Sequence, residues 1–147
     1  MNPPEGYRHT SHFEVRFADL DAMGHLNHAK FLTYMEQARI DYVQQVCGWQ
    51  GDWRTLGMIL AQAVVDYRLP IFYGDAVSVF TRCVRLGGKS FDLQYQIWRQ
   101  RPQQAAELAA EARTVMVAYD YASDQTIPVP PGWRAAMQAY EPTPIAS

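Results

Sequence analysis

The chain is 147 residues long, which fits one domain with a buried core, and its formal net charge is −2. So small a net charge gives no long-range field that would favour nucleic acid or an anionic membrane surface. No apolar stretch approaches the roughly 20 residues that span a bilayer, and the first residues lack the basic start and apolar core of a signal peptide, so we expect a cytoplasmic protein.

The N-terminal segment, residues 1–10, is rich in proline and polar residues. We expect it to lie loosely on the surface, with His9 and the nearby His12 exposed to solvent. Apolar and charged residues then alternate from His12 to Phe17. This period of two predicts a half-buried strand whose inner face carries Phe13, Val15 and Phe17.

A long amphipathic helix is predicted from about residue 28 to residue 47. Its apolar residues recur at steps of three and four and form one broad stripe: Phe31, Leu32, Met35, Ala38, Tyr42, Val43 and Val46. Asn27 is the predicted N-cap, because its side-chain oxygen can accept a hydrogen bond from a free N–H group of the first turn. Gly48 can adopt the left-handed conformation with which helices often end. Glu36 and Arg39 are predicted to form a surface ion pair on this helix.

Four strands are predicted next, at about residues 58–69, 75–86, 90–101 and 106–121. The last of these begins rich in alanine, but we predict a strand because tertiary pairing commonly overrides the helix propensity of alanine. Residues 122–147 are predicted to be a C-terminal linker with a short helix at about 132–139. Together these elements predict one α+β domain over residues 1–147, an antiparallel sheet wrapped around a long central helix.

The stretch just before the long helix concentrates polar residues. Asp19, Asp21, His25 and His28 lie within ten residues and are interrupted by Gly24. A helix N-terminus presents unpaired N–H groups and a partial positive charge, so it stabilises an anion or a developing oxyanion. A carboxylate beside such a pocket suits acyl-transfer chemistry.

The pattern Asp19-x-Asp21-x-x-Gly24-His25-x-Asn27-His28, followed by Phe31-Leu32-x-Tyr34-x-Glu36-x-x-Arg39, resembles the hotdog-fold acyl-CoA thioesterases related to 4-hydroxybenzoyl-CoA thioesterase. Two later blocks, Asp66-Tyr67-Arg68-x-Pro70-x-x-Tyr73-Gly74-Asp75 and Gly88-Lys89-Ser90-Phe91, are also similar to that family. The resemblance implies a hotdog fold and pairing of two subunits edge to edge into a homodimer; such dimers often pair again into a homotetramer, and the sequence leaves dimer or tetramer open.

The resemblance also implies roles for these residues. Asp21 is the catalytic carboxylate, acting either as nucleophile or as the base for a water, and both roles need its ionised form. At His28 the family presents a backbone N–H group to the thioester oxygen, and a side-chain role for His28 as general acid or water orienter stays open. Asp19, Gly24, His25 and Asn27 support the loop and the oxyanion site.

The implied substrate is an acyl-CoA, with an acyl carrier protein as a possible replacement for CoA, and the implied reaction needs no metal or prosthetic group. Lys89 and Ser90, helped by Arg85, match the place where the family meets the phosphates of coenzyme A. Gly87 and Gly88 stand where some relatives have arginines. The sequence leaves the acyl group open, and Tyr67, Arg68 and Tyr73 are read as packing and interface residues.

Two other functions are compatible with the sequence. A non-catalytic hotdog module would bind an acyl thioester or a partner protein without hydrolysis. A metal hydrolase would use Asp19, Asp21, His25 and His28 as ligands, because two histidines and two carboxylates can hold a divalent ion. The metal hydrolase predicts loss of activity on chelation, whereas the thioesterase predicts none.

Overall fold

The structure, a computed structural model, describes residues 1–147. It has one antiparallel sheet of six strands and two α-helices. The strands are β1 (His9–Glu14), β2 (Leu56–Tyr67), β3 (Ala76–Leu86), β4 (Ser90–Gln100), β5 (Glu107–Asp120) and the short β6 (Gln125–Thr126). The helices are α1 (His28–Cys47) and α2 (Pro131–Tyr140), and a single 3₁₀ turn spans Phe17–Asp19.

The sheet order is β1-β3-β4-β5-β2, and β6 pairs only with β5. All neighbouring strands are antiparallel, and the strand order places β1 and β2 at opposite edges. Helix α1 packs against β1, β3 and α2. Its inner face is completely buried at Met35, Ala38, Tyr42 and Val43, which join the core contributed by β3, β4 and β5. The predicted α+β arrangement is confirmed.

The bounds of α1 agree with the prediction because its signals are local. The Asn27 side chain accepts a hydrogen bond from the N–H of Ala29 at 3.0 Å, and Gly48 adopts a left-handed conformation with φ of 69°. The predicted strands at 58–69, 75–86, 90–101 and 106–121 correspond to β2, β3, β4 and β5 within two residues at each end. The alanine-rich start of β5 is a strand, because Ala109, Ala110 and Ala112 are buried against the core.

The N-terminal predictions were wrong. Strand β1 covers His9–Glu14 rather than 12–17, and Phe17 is 81% exposed instead of buried. The chain leaves the sheet because the carboxylate of Asp19 accepts hydrogen bonds from the main chain and the side chain of Arg16. The segment 1–10 is packed from Tyr7 onward, since Tyr7 is buried edge to face against Phe80.

Two side chains are more buried than predicted. His9 is 2% exposed rather than solvated, and it lies edge to face against Tyr42. Arg39 is 7% exposed, so its contact with the exposed Glu36 at 3.5 Å joins a buried side chain to a surface one.

Neither helix of the structure is long and apolar enough to cross a membrane.

Candidate active site

The loop that leads to α1 is held by Asp19, which is completely buried. Its carboxylate accepts hydrogen bonds from the guanidinium of Arg16 at 2.9 Å and from the hydroxyl of Tyr34 at 2.7 Å. These hydrogen bonds, that of Arg16 foremost, lower the pKa of Asp19 to about 2. The main-chain oxygen of Asp19 also accepts from the N–H of Asn27 at 2.8 Å. Asp19 therefore ties the 3₁₀ turn, the helix cap and α1 together.

Asp21 lies at the mouth of a tight loop and is half-buried. Its Oδ1 accepts hydrogen bonds from the N–H groups of Met23 at 2.9 Å and His25 at 3.1 Å. Its main-chain N–H donates to the oxygen of His25 at 2.7 Å, and Gly24 closes the loop with a positive φ of 81°. The other carboxylate oxygen, Oδ2, has no hydrogen-bond partner in the protein. The loop thus fixes the carboxylate and leaves one oxygen available.

The first turn of α1 supplies a free N–H group. The N–H of Ala29 is taken by the Asn27 side chain, and that of Lys30 donates to the main-chain oxygen of Asn27 at 2.8 Å. The N–H of His28 has no acceptor. The imidazole of His28 is exposed, whereas that of His25 is half-buried and edge to face with Phe72.

A cavity of about 330 Å³ opens between the Asp21 loop, the start of α1 and the end of β2. Its walls are formed by Asp21, His25, Leu26, His28, Phe31, Tyr67, Arg68, Leu69 and Pro70. Two other cavities have slightly larger volumes, one on the outer face of the sheet near Arg82 and one between α1 and β2 near Trp53. Neither of these includes the N-terminus of a helix. The cavity at Asp21 is therefore the one suited to stabilise an oxyanion.

Tyr67 is part of this cavity although the sequence assigned it only to packing or an interface. Its hydroxyl donates a hydrogen bond to the main-chain oxygen of His28 at 3.0 Å. Its ring is edge to face with Phe31 at a centroid distance of 5.0 Å. The only hint in the sequence that Tyr67 belongs to the site was its place in the Asp66–Asp75 block. No periodic pattern connects the end of β2 with the start of α1.

The residues expected to bind coenzyme A lie elsewhere in the chain. Ser90 pairs with Val117, which pairs with Ile59, whereas Tyr67 lies eight residues further along β2. At roughly 3.3 Å per residue, Ser90 and Tyr67 are therefore separated by about 26 Å along the direction of β2. Arg85 is also engaged, since its guanidinium donates to Ser90 and Asp92, both at 2.8 Å. One chain does not bring Lys89, Ser90 and Arg85 to Asp21.

The four residues of the metal-hydrolase hypothesis do not form a ligand set. No group of three or more His, Cys, Asp and Glu side chains is close enough to hold a metal ion. Both carboxylate oxygens of Asp19 already contact Arg16, and its Oδ2 also accepts from Tyr34.

Known proteins resemble this chain over most of its length. The family model that describes the thioesterase-like superfamily matches residues 15–137 of this sequence. A thioesterase of Thermus thermophilus, crystallised with coenzyme A and Zn, is 34% identical, covers 97% of this chain and 100% of its own, and superposes with a TM-score of 0.82. The long-chain acyl-CoA thioesterase FadM of Escherichia coli is 26% identical over 78% of this chain and 85% of its own.

The fold is also shared with a 4-hydroxybenzoyl-CoA thioesterase mutant in complex with 4-hydroxybenzoyl-CoA. That structure is 18% identical, covers 87% of this chain and 96% of its own, and gives a TM-score of 0.79. These likenesses confirm the hotdog fold that the sequence resemblance implied. By the match over residues 15–137, the chain belongs to the thioesterase-like superfamily.

Proposed function

We propose that this protein hydrolyses acyl-CoA thioesters to a free carboxylic acid and coenzyme A, without a metal or prosthetic group. The observation that carries the proposal is the pairing of two unsatisfied groups in one cavity. Asp21 offers a free carboxylate oxygen, and His28 offers a free N–H at a helix N-terminus. The acyl-CoA thioesterase activity of FadM and the coenzyme A in the Thermus thermophilus structure support the same substrate class.

Asp21 can take part in the hydrolysis in two ways. As nucleophile, its Oδ2 attacks the thioester carbon, coenzyme A leaves as the thiolate, and water hydrolyses the resulting anhydride. As general base, it takes a proton from water, whose oxygen attacks the same carbon, and the C–S bond breaks to release coenzyme A as the thiolate. In both routes negative charge builds on the carbonyl oxygen, and the N–H of His28 stabilises that charge. The exposed imidazole of His28 is available in either route as a proton donor to the leaving thiolate.

A second copy of the chain would complete the site. Residues 60–64 of the edge strand β2 are all exposed, and four of these five are apolar, so the edge favours pairing with another strand. Antiparallel pairing of two β2 edges reverses the strand direction between the copies. The turn that carries Lys89, Ser90 and Arg85 in one copy then approaches the Asp21 end of the other, where it can meet the phosphates of coenzyme A or of an acyl carrier protein. Such dimers can pair again as tetramers.

The test is Asp21→Asn, assayed by thiol release from a panel of acyl-CoAs of varied length and aromaticity. We expect hydrolysis to fall at least about a hundredfold while acyl-CoA binding is retained. Asp52→Asn is the matched control, because the Oδ1 of Asp52 also accepts an N–H two residues ahead, at 3.2 Å, but lies outside the cavity. We expect this control to keep wild-type activity.

Each alternative function predicts a different result in the same assay. Wild-type protein that binds acyl-CoAs but releases no thiol is a non-catalytic binding module, and the enzymatic proposal then fails. Activity that is lost on treatment with a chelator and restored by a divalent metal identifies a metal hydrolase. We expect activity to survive chelation.

A further inference from the structure

We infer that Tyr67 is a positioning residue that holds the oxyanion-binding N–H of His28 in place. The inference rests on the proposed function, and it assigns to the end of β2 a role in the reaction at the start of α1. Its basis is the hydrogen bond from the Tyr67 hydroxyl to the main-chain oxygen of His28, at 3.0 Å.

This hydrogen bond acts on a peptide unit that is held from both sides. The unit that joins His28 to Ala29 contains the oxygen of His28 and the N–H of Ala29. Its oxygen accepts from Tyr67, and its N–H donates to the side chain of Asn27 at 3.0 Å. The free N–H of His28 belongs to the preceding peptide unit, one Cα atom away. Clamping the unit after His28 therefore restrains the direction in which the free N–H points.

Tyr67 is well placed to serve as a fixed support. Its Cα lies opposite that of Ala110, so its backbone is anchored by the β2–β5 pairing. Its ring contacts the buried Phe31 edge to face and lies at a centroid distance of 6.5 Å from the imidazole of His28. Helix α1 packs mainly on β1, β3 and α2, so the Tyr67 hydrogen bond adds a restraint on its first turn from a further element, β2. First turns fray readily because their N–H groups lack intrahelical partners.

The kinetic test is Tyr67→Phe, which keeps the ring contacts and removes only the hydroxyl. We expect kcat to fall about tenfold with one acyl-CoA, because misplaced donors stabilise the transition state less well. KM and the shape of the pH profile of kcat are expected to stay at wild-type values, and the melting temperature is expected to fall by no more than about 5 °C. A change in the basic limb of the pH profile would instead identify Tyr67 as a proton donor and overturn the inference.

Tyr119→Phe is the matched control, because the Tyr119 hydroxyl is also hydrogen-bonded, to Asp124, but lies on β5 away from the cavity. We expect it to leave kcat unchanged. An unchanged kcat in Tyr67→Phe overturns the inference, and so does a loss of kcat in a variant that is already partly unfolded at the assay temperature.

A second measurement does not depend on catalysis. Amide hydrogen exchange by NMR should show the N–H of Ala29 exchanging several-fold faster in Tyr67→Phe than in wild-type protein, while amides in the centre of α1 exchange at the same rate. Unchanged exchange at Ala29 refutes the clamp. Failure of the proposed function has a different signature, since Asp21→Asn then keeps wild-type thiol release or the wild type releases none.

Discussion

Two aspartates in the same loop have opposite environments. Asp19 is buried and accepts from a guanidinium and a tyrosine hydroxyl, so its charge is used in the structure. Asp21, two residues on, is half-buried and keeps one oxygen free of protein partners. A charge that is fully paired inside the protein fixes geometry, whereas a carboxylate with a free oxygen can meet a substrate. This contrast supports a structural role for Asp19 and the catalytic role proposed for Asp21.

His9 makes stability depend on pH. Its imidazole is buried, and burial lowers the pKa of the ring by more than the neighbouring Asp41 and Gln45 raise it. The unfolded chain, with a histidine pKa of about 6.5, then binds the proton more readily than the folded chain. The free energy of unfolding is expected to decrease as the pH falls below about 6.5.

His9→Phe tests this prediction, since phenylalanine can keep the edge contact with Tyr42 and cannot be protonated. Urea unfolding at about pH 7.5 and about pH 5 should show a smaller loss of stability in this variant than in wild-type protein. His12→Gln is the control, because His12 is exposed and its replacement should leave the wild-type pH dependence unchanged. Equal pH dependence in His9→Phe and wild type would contradict the prediction.

The start of α1 depends on one capping side chain. Asn27 accepts the N–H of Ala29, so Asn27→Ala leaves that group without its protein partner. We expect the free energy of unfolding, measured in urea, to fall by about 1 kcal/mol. Asn2→Ala, at the exposed N-terminus, should change it by less than about 0.5 kcal/mol. A cap that contributes nothing would give the two variants the same stability.

The elements that sequence predicted well are those whose signals are local. Asn27, the apolar stripe and Gly48 mark α1 without reference to any other segment. The alternation from His12 to Phe17 correctly predicts that Val15 is buried, but it wrongly buries Phe17 because it does not show where pairing with β3 stops. That end is set by the hydrogen bonds from Arg16 to Asp19, which are side-chain contacts in a turn.

In the candidate site, too, the local part was predictable from the sequence and the long-range contacts were not. The loop from Asp19 to His28 is continuous in sequence, so its polar pattern was visible before the fold was known. Tyr67 is 39 residues from His28, and their contact follows from the place of β2 in the sheet and the path of α1 beside it. The separation of Lys89 from Asp21 likewise follows only from strand register.

At the scale of the whole molecule, the proposed dimer would account for both the open edge of β2 and the remote position of Lys89. A lone chain leaves an apolar edge uncovered and separates the proposed phosphate-binding turn from the carboxylate by about 26 Å along β2, at roughly 3.3 Å per residue. Pairing two β2 strands about a two-fold axis would cover the apolar edge and bring the turn of one copy close to the carboxylate of the other. The same surface patch then serves both copies, as a symmetric interface requires.

Val64→Lys tests this assembly, because Val64 is 52% exposed at the end of the exposed run 60–64 of β2 and a lysine there opposes strand pairing. By light scattering we expect the wild type to have at least twice the monomer mass and the variant to be a monomer. Thiol release should fall at least about tenfold in the variant, chiefly through a higher KM, since the partner's contacts with coenzyme A are lost. Gln125→Lys, an equal charge change on the exposed strand β6, should leave mass and activity unchanged. A wild-type monomer with full activity would show that one chain suffices and that Lys89 has no part in the site.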